Sequence, residues 1–178
     1  MATGGGDFEL SVDELREVAR FSVESAGQVL PVFEAAHPGD RRPRAAVDAA
    51  WEFVNGGRRT RLQRVTALDA HRAAKEAAGE AERLAARAAG DAAAAAYLHP
   101  IAQATQVGHI LRAAACAARV GELAAGGDPD VGLGLVAEAR RRATPVLVDV
   151  LRRYPPAPAG TGRDTQLMVA LDASLRSL

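Results

Sequence analysis

The residues best suited to chemistry lie close together in the middle of the chain. His99, Gln103, Gln106 and His109 are spaced four, three and three apart, so on one continuous helix they would share a face. Two imidazoles titrating near neutral pH can move a proton, and two amides can orient a ligand by hydrogen bonding. The same stripe also reads as a solvent face, or as core histidines with satisfied ring nitrogens. Pro100 follows His99 directly. It disfavours helical geometry at His99, and a kink there would free backbone groups for a ligand. If the chain is an enzyme, His99 and His109 are the catalytic candidates; Gln103, Gln106 and the nearby Tyr97 are binding candidates.

Three further residues belong with them. Trp51 is the sole tryptophan and reads either as a core anchor or as a pocket wall. Arg44 lies seven residues earlier on the same helical face, where it would cap a helix or pair an anion. His71 is a binding candidate, but with Asp69 it makes no dyad, because residues two apart on a helix point about 200° apart. No H-E-x-x-H, C-x-x-C or Glu-x-x-His pair is present, so neither a metal nor a cofactor is expected. Cys116 is the only cysteine. It lies in an alanine-rich run and reads as a small buried hydrophobe. There is no G-x-S-x-G elbow and no phosphate-binding glycine loop.

These residues need a scaffold, and the composition specifies helices. Alanine, leucine, arginine and glutamate dominate the 178 residues, and all favour helix; β-branched residues are sparse and do not alternate. The expected class is all-α, a compact bundle of about seven helices that are mostly antiparallel neighbours. Residues 1–10 are expected to be a disordered N-terminal tail and 11–178 a single helical domain. Ser11-Val12-Asp13-Glu14 reads as a capping box, and Pro31 as a kink or restart. Pro43 opens a second helix and Asn55-Gly56-Gly57 closes it. A third runs from about 58 to 78, with Leu62, Val65, Leu68 and Ala73 facing inward. A fourth covers about 80 to 98, and a fifth runs from Pro100 to about 125. Asp128-Pro129 starts a sixth, kinked at Pro145 and ending near Tyr154. A last helix begins at Asp164 or Thr165.

Charge excludes some partners. Lys plus Arg and Asp plus Glu each number 22, for no formal net charge. A nucleic-acid-binding domain is usually strongly basic, so no nucleic-acid partner is expected, despite local runs such as Arg140-Arg141-Arg142. No membrane span or signal peptide is visible, and a cytoplasmic location is expected. Lys75 is the sole lysine, a bias typical of GC-rich coding sequence.

Three stretches together carry a resemblance. Asp40-Arg41-Arg42-Pro43-Arg44-Ala45-Ala46-Val47-Asp48-Ala49-Ala50-Trp51 resembles the "RPR-x-A-x-x-A" start of the Imm-five-like bacterial immunity proteins. Ala92 to Glu122, with Tyr97-Leu98-His99-Pro100 and His109-Ile110-Leu111-Arg112-Ala113-Ala114-Ala115, looks like that family's central alanine-rich helix. Arg152-Arg153-Tyr154-Pro155-Pro156 resembles its C-terminal part. Where the family often reads A-A-Y-A, this chain has Ala114-Ala115-Cys116-Ala117. The resemblance runs from about Ser11 to Leu178 and implies an actinobacterial protein that neutralises a toxin by occluding it, although an exonuclease label is sometimes attached to such proteins. No catalytic residues come with it.

Two readings stand side by side. In the first, the chain is a binding protein whose partner is a protein toxin, with charged clusters steering association and no turnover. In the second, it is a small helical enzyme or ligand-binding protein of actinobacterial specialised metabolism or self-resistance, with a small-molecule pocket near His99, His109, Trp51 and Arg44. Apolar stripes on such a bundle are also compatible with a homodimer.

Overall fold

The computed structural model describes residues 7–178. Eight α-helices and no strands occur among them: α1 (Val12–Ala36), α2 (Arg42–Val54), α3 (Arg61–Glu76), α4 (Glu80–Ala94), α5 (Val107–Ala124), α6 (Pro129–Arg142), α7 (Pro145–Leu151) and α8 (Arg163–Arg176). Most helices adjacent in sequence pack together, α1 also packs on α4 and α5, and a single hydrophobic cluster joins them.

The ends of the helices follow local chemistry. Ser11 Oγ accepts from the Glu14 amide at 3.1 Å, and Glu14 Oε2 accepts from the Ser11 amide at 2.8 Å, which makes the capping box expected from the sequence. α1 runs unbroken through Pro31, whose position is solvent-exposed. Thr60 and Gln63 form a second capping box for α3. At the end of α2 the chain reverses at Gly56, where φ is +101°, a conformation that costs glycine least.

The centre is built from small residues. In α4, Ala85, Ala86, Ala88, Ala89, Ala92 and Ala93 are all buried. Their short side chains let α1, α2, α3 and α5 approach α4 closely. Larger side chains fill the spaces between the outer helices, among them Phe33, Phe53, Ile110, Leu147 and Leu171, each almost fully buried. Each contributes roughly 1.5–3 kcal/mol by leaving water.

Several boundaries differ from the sequence reading. α4 ends at Ala94, and a 3₁₀ turn follows at Ala95–Tyr97. From Leu98 to Gln103 the backbone is irregular, and α5 begins only at Val107. Pro100 is the physical reason, since it pushes His99 out of helical geometry. The expected long sixth helix is two helices, because Thr144 caps a new one: its Oγ1 accepts from the Leu147 amide at 3.2 Å, with Pro145 in the first turn. α3 is also turned relative to expectation. Gln63, Thr66, Ala67, Ala70, Ala73 and Ala74 are buried, while Leu62, Val65 and Leu68 are 44%, 38% and 54% exposed.

The N-terminal segment divides. Residues 1–6 of the expected tail lie outside the described residues. Phe8 meets the Tyr154 ring edge-on at 4.9 Å, Leu10 packs on the core, and Asp7 Oδ2 accepts from the Ala102 amide.

Candidate functional site

A cleft of about 380 Å³ opens between α3 and the segment joining α4 to α5. It is lined by Arg64, Ala67, Leu68, His71, Ala94, Tyr97, His99 and His109. Four of the sequence candidates, His71, Tyr97, His99 and His109, meet here. They do so without sharing a helix: His71 comes from α3, Tyr97 from the 3₁₀ turn, His99 from the irregular segment and His109 from α5.

The supports of each residue can be traced. Gln106 Oε1 accepts from the His99 amide at 3.2 Å, and the Tyr154 hydroxyl donates to the His99 carbonyl at 2.9 Å. These two contacts hold the His99 backbone in its non-helical path. Tyr97 donates its hydroxyl to the Thr60 carbonyl. The Arg64 and Arg59 guanidiniums lie 4.5 and 5.1 Å from the centre of its ring, within cation–π range. On α4, Gly90 leaves room for the His71 ring, because a Cβ there would come within 2.8 Å of it.

Beneath the cleft is a charge pair that motif spacing did not reveal. Asp91 is fully buried, and Arg112 grips it through both ends: Nε to Oδ2 at 2.7 Å and Nη2 to Oδ1 at 2.6 Å. Bidentate pairs of this kind are strong and directional. His71 Nε2 stands 3.6 Å from Asp91 Oδ1. The one signal in the sequence was a lone Asp amid the alanines of α4, with Arg112 followed by an alanine run on α5.

Burial sets the protonation of the two inner histidines. For His71 and for His109, desolvation pushes the pKa below its ordinary value, and the nearby cation Arg112 pushes the same way; Asp91 opposes both. Both rings are therefore neutral at pH 7. His109 Nδ1 is buried without a hydrogen-bond partner.

The remaining candidates lie elsewhere. Gln103 is exposed and does not line the cleft, and Gln106 is a buried support for the backbone. The shared helical face expected for His99, Gln103, Gln106 and His109 is absent, since the helix begins after Gln106. Trp51 is half-buried on the core. Arg44 clamps α2 to α1 through a two-point pair with Glu34 at 2.8 Å each, and this pairing holds the Glu34 carboxyl below its usual range. Neither residue reaches the cleft, so the expected pocket joining them to the histidines does not form. Cys116 is fully buried, and burial pushes its thiol well above the ordinary range. No group of three or more His, Cys, Asp or Glu side chains among the described residues is placed to hold a metal ion.

Residues 9–130 match the family described as "Imm-5 like putative immunity protein". The chain belongs to the Imm-5-like immunity protein family. The match spans α1 to α5 and every residue that lines the cleft; the Arg152–Pro156 stretch noted above falls outside it. No curated protein and no solved structure is detectably similar to the chain. Among the described residues, no helix of this Imm-5-like protein is long and apolar enough to cross a membrane.

Proposed function

We propose that this Imm-5-like protein neutralises a partner toxin by occlusion, docking through the outer face of α3 and the adjoining cleft. The observation that carries this reading is the exposed apolar row Leu62, Val65 and Leu68. Leu68 also lines the histidine cleft. Arg61, Arg64 and Arg72 flank the row and are exposed. An apolar centre within a charged rim is how protein interfaces are built, and basic rims steer acidic partners. A partner side chain entering the cleft would meet the neutral His71 and His109 rings and the Tyr97 ring, which gives the interface an anchor pocket. The proposed setting is the cytoplasm.

The test is native mass spectrometry of the protein purified gently from its host, alone and as Leu68→Asp. The expected result is a protein retained at fixed stoichiometry by the unaltered chain and lost by the variant, whose toxicity in cells the unaltered chain alone suppresses. A retained small molecule that disappears with His99→Ala or His109→Ala would overturn this reading.

A second reading draws on one specific observation, the convergence of three histidines from three separate segments on one cleft. A volume of about 380 Å³ suits a small ligand. In that reading the neutral His71, facing Asp91, accepts a proton from the ligand. The small-molecule outcome of the same experiment would support it.

A further inference from the structure

A second cleft shares His71 with the histidine cleft. It measures about 480 Å³ and is lined by His71, Ala74, Lys75, Arg83, Leu84, Arg87 and Arg112. Its polar lining comprises four cationic side chains and one imidazole, with no carboxylate. Two of the cations are already compensated: Arg87 pairs with Asp164 at 3.2 Å, and Arg112 with Asp91. Lys75 and Arg83 are exposed and make no ion pair among the described residues. With His71 neutral, the cleft carries two uncompensated positive charges.

The geometry points to a binding site for a phosphate monoester with a compact apolar body. The charge matches, since a phosphate monoester above its second pKa, at about 6, is a dianion. The cations come from three helices, α3, α4 and α5, so they surround a small anion rather than spreading over a flat face. Arg112 is held in advance: Asp91 occupies its Nε and Nη2 positions, while Nη1, which lies over Gly108, has no hydrogen-bond partner among the described residues. Fixing a donor before binding lowers the ordering cost of association. Ala74 and Leu84 supply an apolar wall for the organic part. A cleft of this size falls within the range of small-molecule sites. The inference does not depend on the toxin reading, which uses Leu62, Val65 and Leu68 on the outer face of α3.

The test is isothermal titration of the full chain at pH 8 and moderate salt, with phenyl phosphate and with inorganic phosphate. Lys75→Gln and Arg83→Gln remove one exposed charge each, and Arg141→Gln on α6 controls for general loss of charge. The expected result is saturable one-to-one binding, tighter for phenyl phosphate. Each cleft variant should bind about ten-fold more weakly or worse, as loss of a charge-assisted contact implies, with Arg141→Gln unchanged. The His71 ring resonances should also shift during the titration. The proposal is overturned if binding does not saturate, if Lys75→Gln and Arg83→Gln bind like the unaltered chain, if the control weakens equally, or if the phenyl group confers no advantage.

Discussion

Arg112 and Asp91 face each other across the α4–α5 contact in a two-point ion pair, with distances of 2.6 and 2.7 Å and the carboxylate fully buried. Arg112 lines the second cleft, and His71, which stands beside the pair, lines both. Removing Asp91 leaves the largely buried Arg112, 27% exposed, without its partner. Asp91→Ala is therefore expected to cost about 3–5 kcal/mol, read from urea unfolding. Replacing both residues by apolar ones of similar size, Asp91→Leu with Arg112→Met, should recover most of that loss. A double variant no more stable than Asp91→Ala would show that the pair does more than neutralise itself.

Stability should fall in two stages as the solution is acidified. His71 and His109 have pKa values below 6.5 in the folded protein because burial opposes their charged form. The unfolded chain then binds more protons, so their contribution is complete above about pH 6.5 and is lost as pH falls below it. A second loss starts near pH 4.5. Glu14, held down to about 2 by hydrogen bonding to Arg153 and to the Ser11 amide, keeps its stabilising contribution above its unfolded value and loses it as pH drops towards 2. Urea midpoints between pH 8 and 3 would show both stages. The first stage should shrink in a His71→Gln, His109→Gln double variant; an unchanged slope would refute the assignment.

Gly90→Ala would place a Cβ 2.8 Å from the His71 ring. The ring is the end of a side chain and can move, and alanine gains about 1 kcal/mol in helix propensity over glycine. Stability is expected to change by no more than about 1 kcal/mol, while the His71 ring resonances and its pKa shift clearly. Unmoved His71 resonances would contradict the contact.

Gln106→Ala removes the acceptor of the His99 amide, and Tyr154→Phe removes the donor to the His99 carbonyl. Each should cost about 0.5–1.5 kcal/mol. Amide exchange at His99 should quicken in the Gln106 variant, reporting a loosened cleft wall. Protection equal to that of the unaltered chain would place the constraint elsewhere.

Local chemistry was legible in the sequence, and the arrangement of faces only partly so. Helix content, the Ser11–Glu14 cap, the start of α8 near Asp164 and the burial of Cys116 follow from propensity, short-range hydrogen bonds and spacing. The inward face of α3 did not follow from hydrophobicity. In an alanine-rich bundle the tightest contacts belong to the smallest residues, so Ala67, Ala70 and Ala74 turn inward and Leu68 is left outside.

The cleft itself was a product of tertiary structure. The sequence marked His71, Tyr97, His99 and His109, but placed Tyr97 and His109 on regular helices and read His99 to His109 as one helical face, and spacing describes a face only where a helix exists. Pro100 interrupts that regularity, and contacts with Gln106 and Tyr154 then fix where His99 goes. Asp91 and Arg112 are 21 residues apart on two different helices, and no helical period carries across the irregular segment between them. Composition and capping determined on their own that this chain would be helical and where most helices would begin. Which helices touch, and so which charges pair and which histidines meet, was decided by the close packing that the alanines of α4 permit.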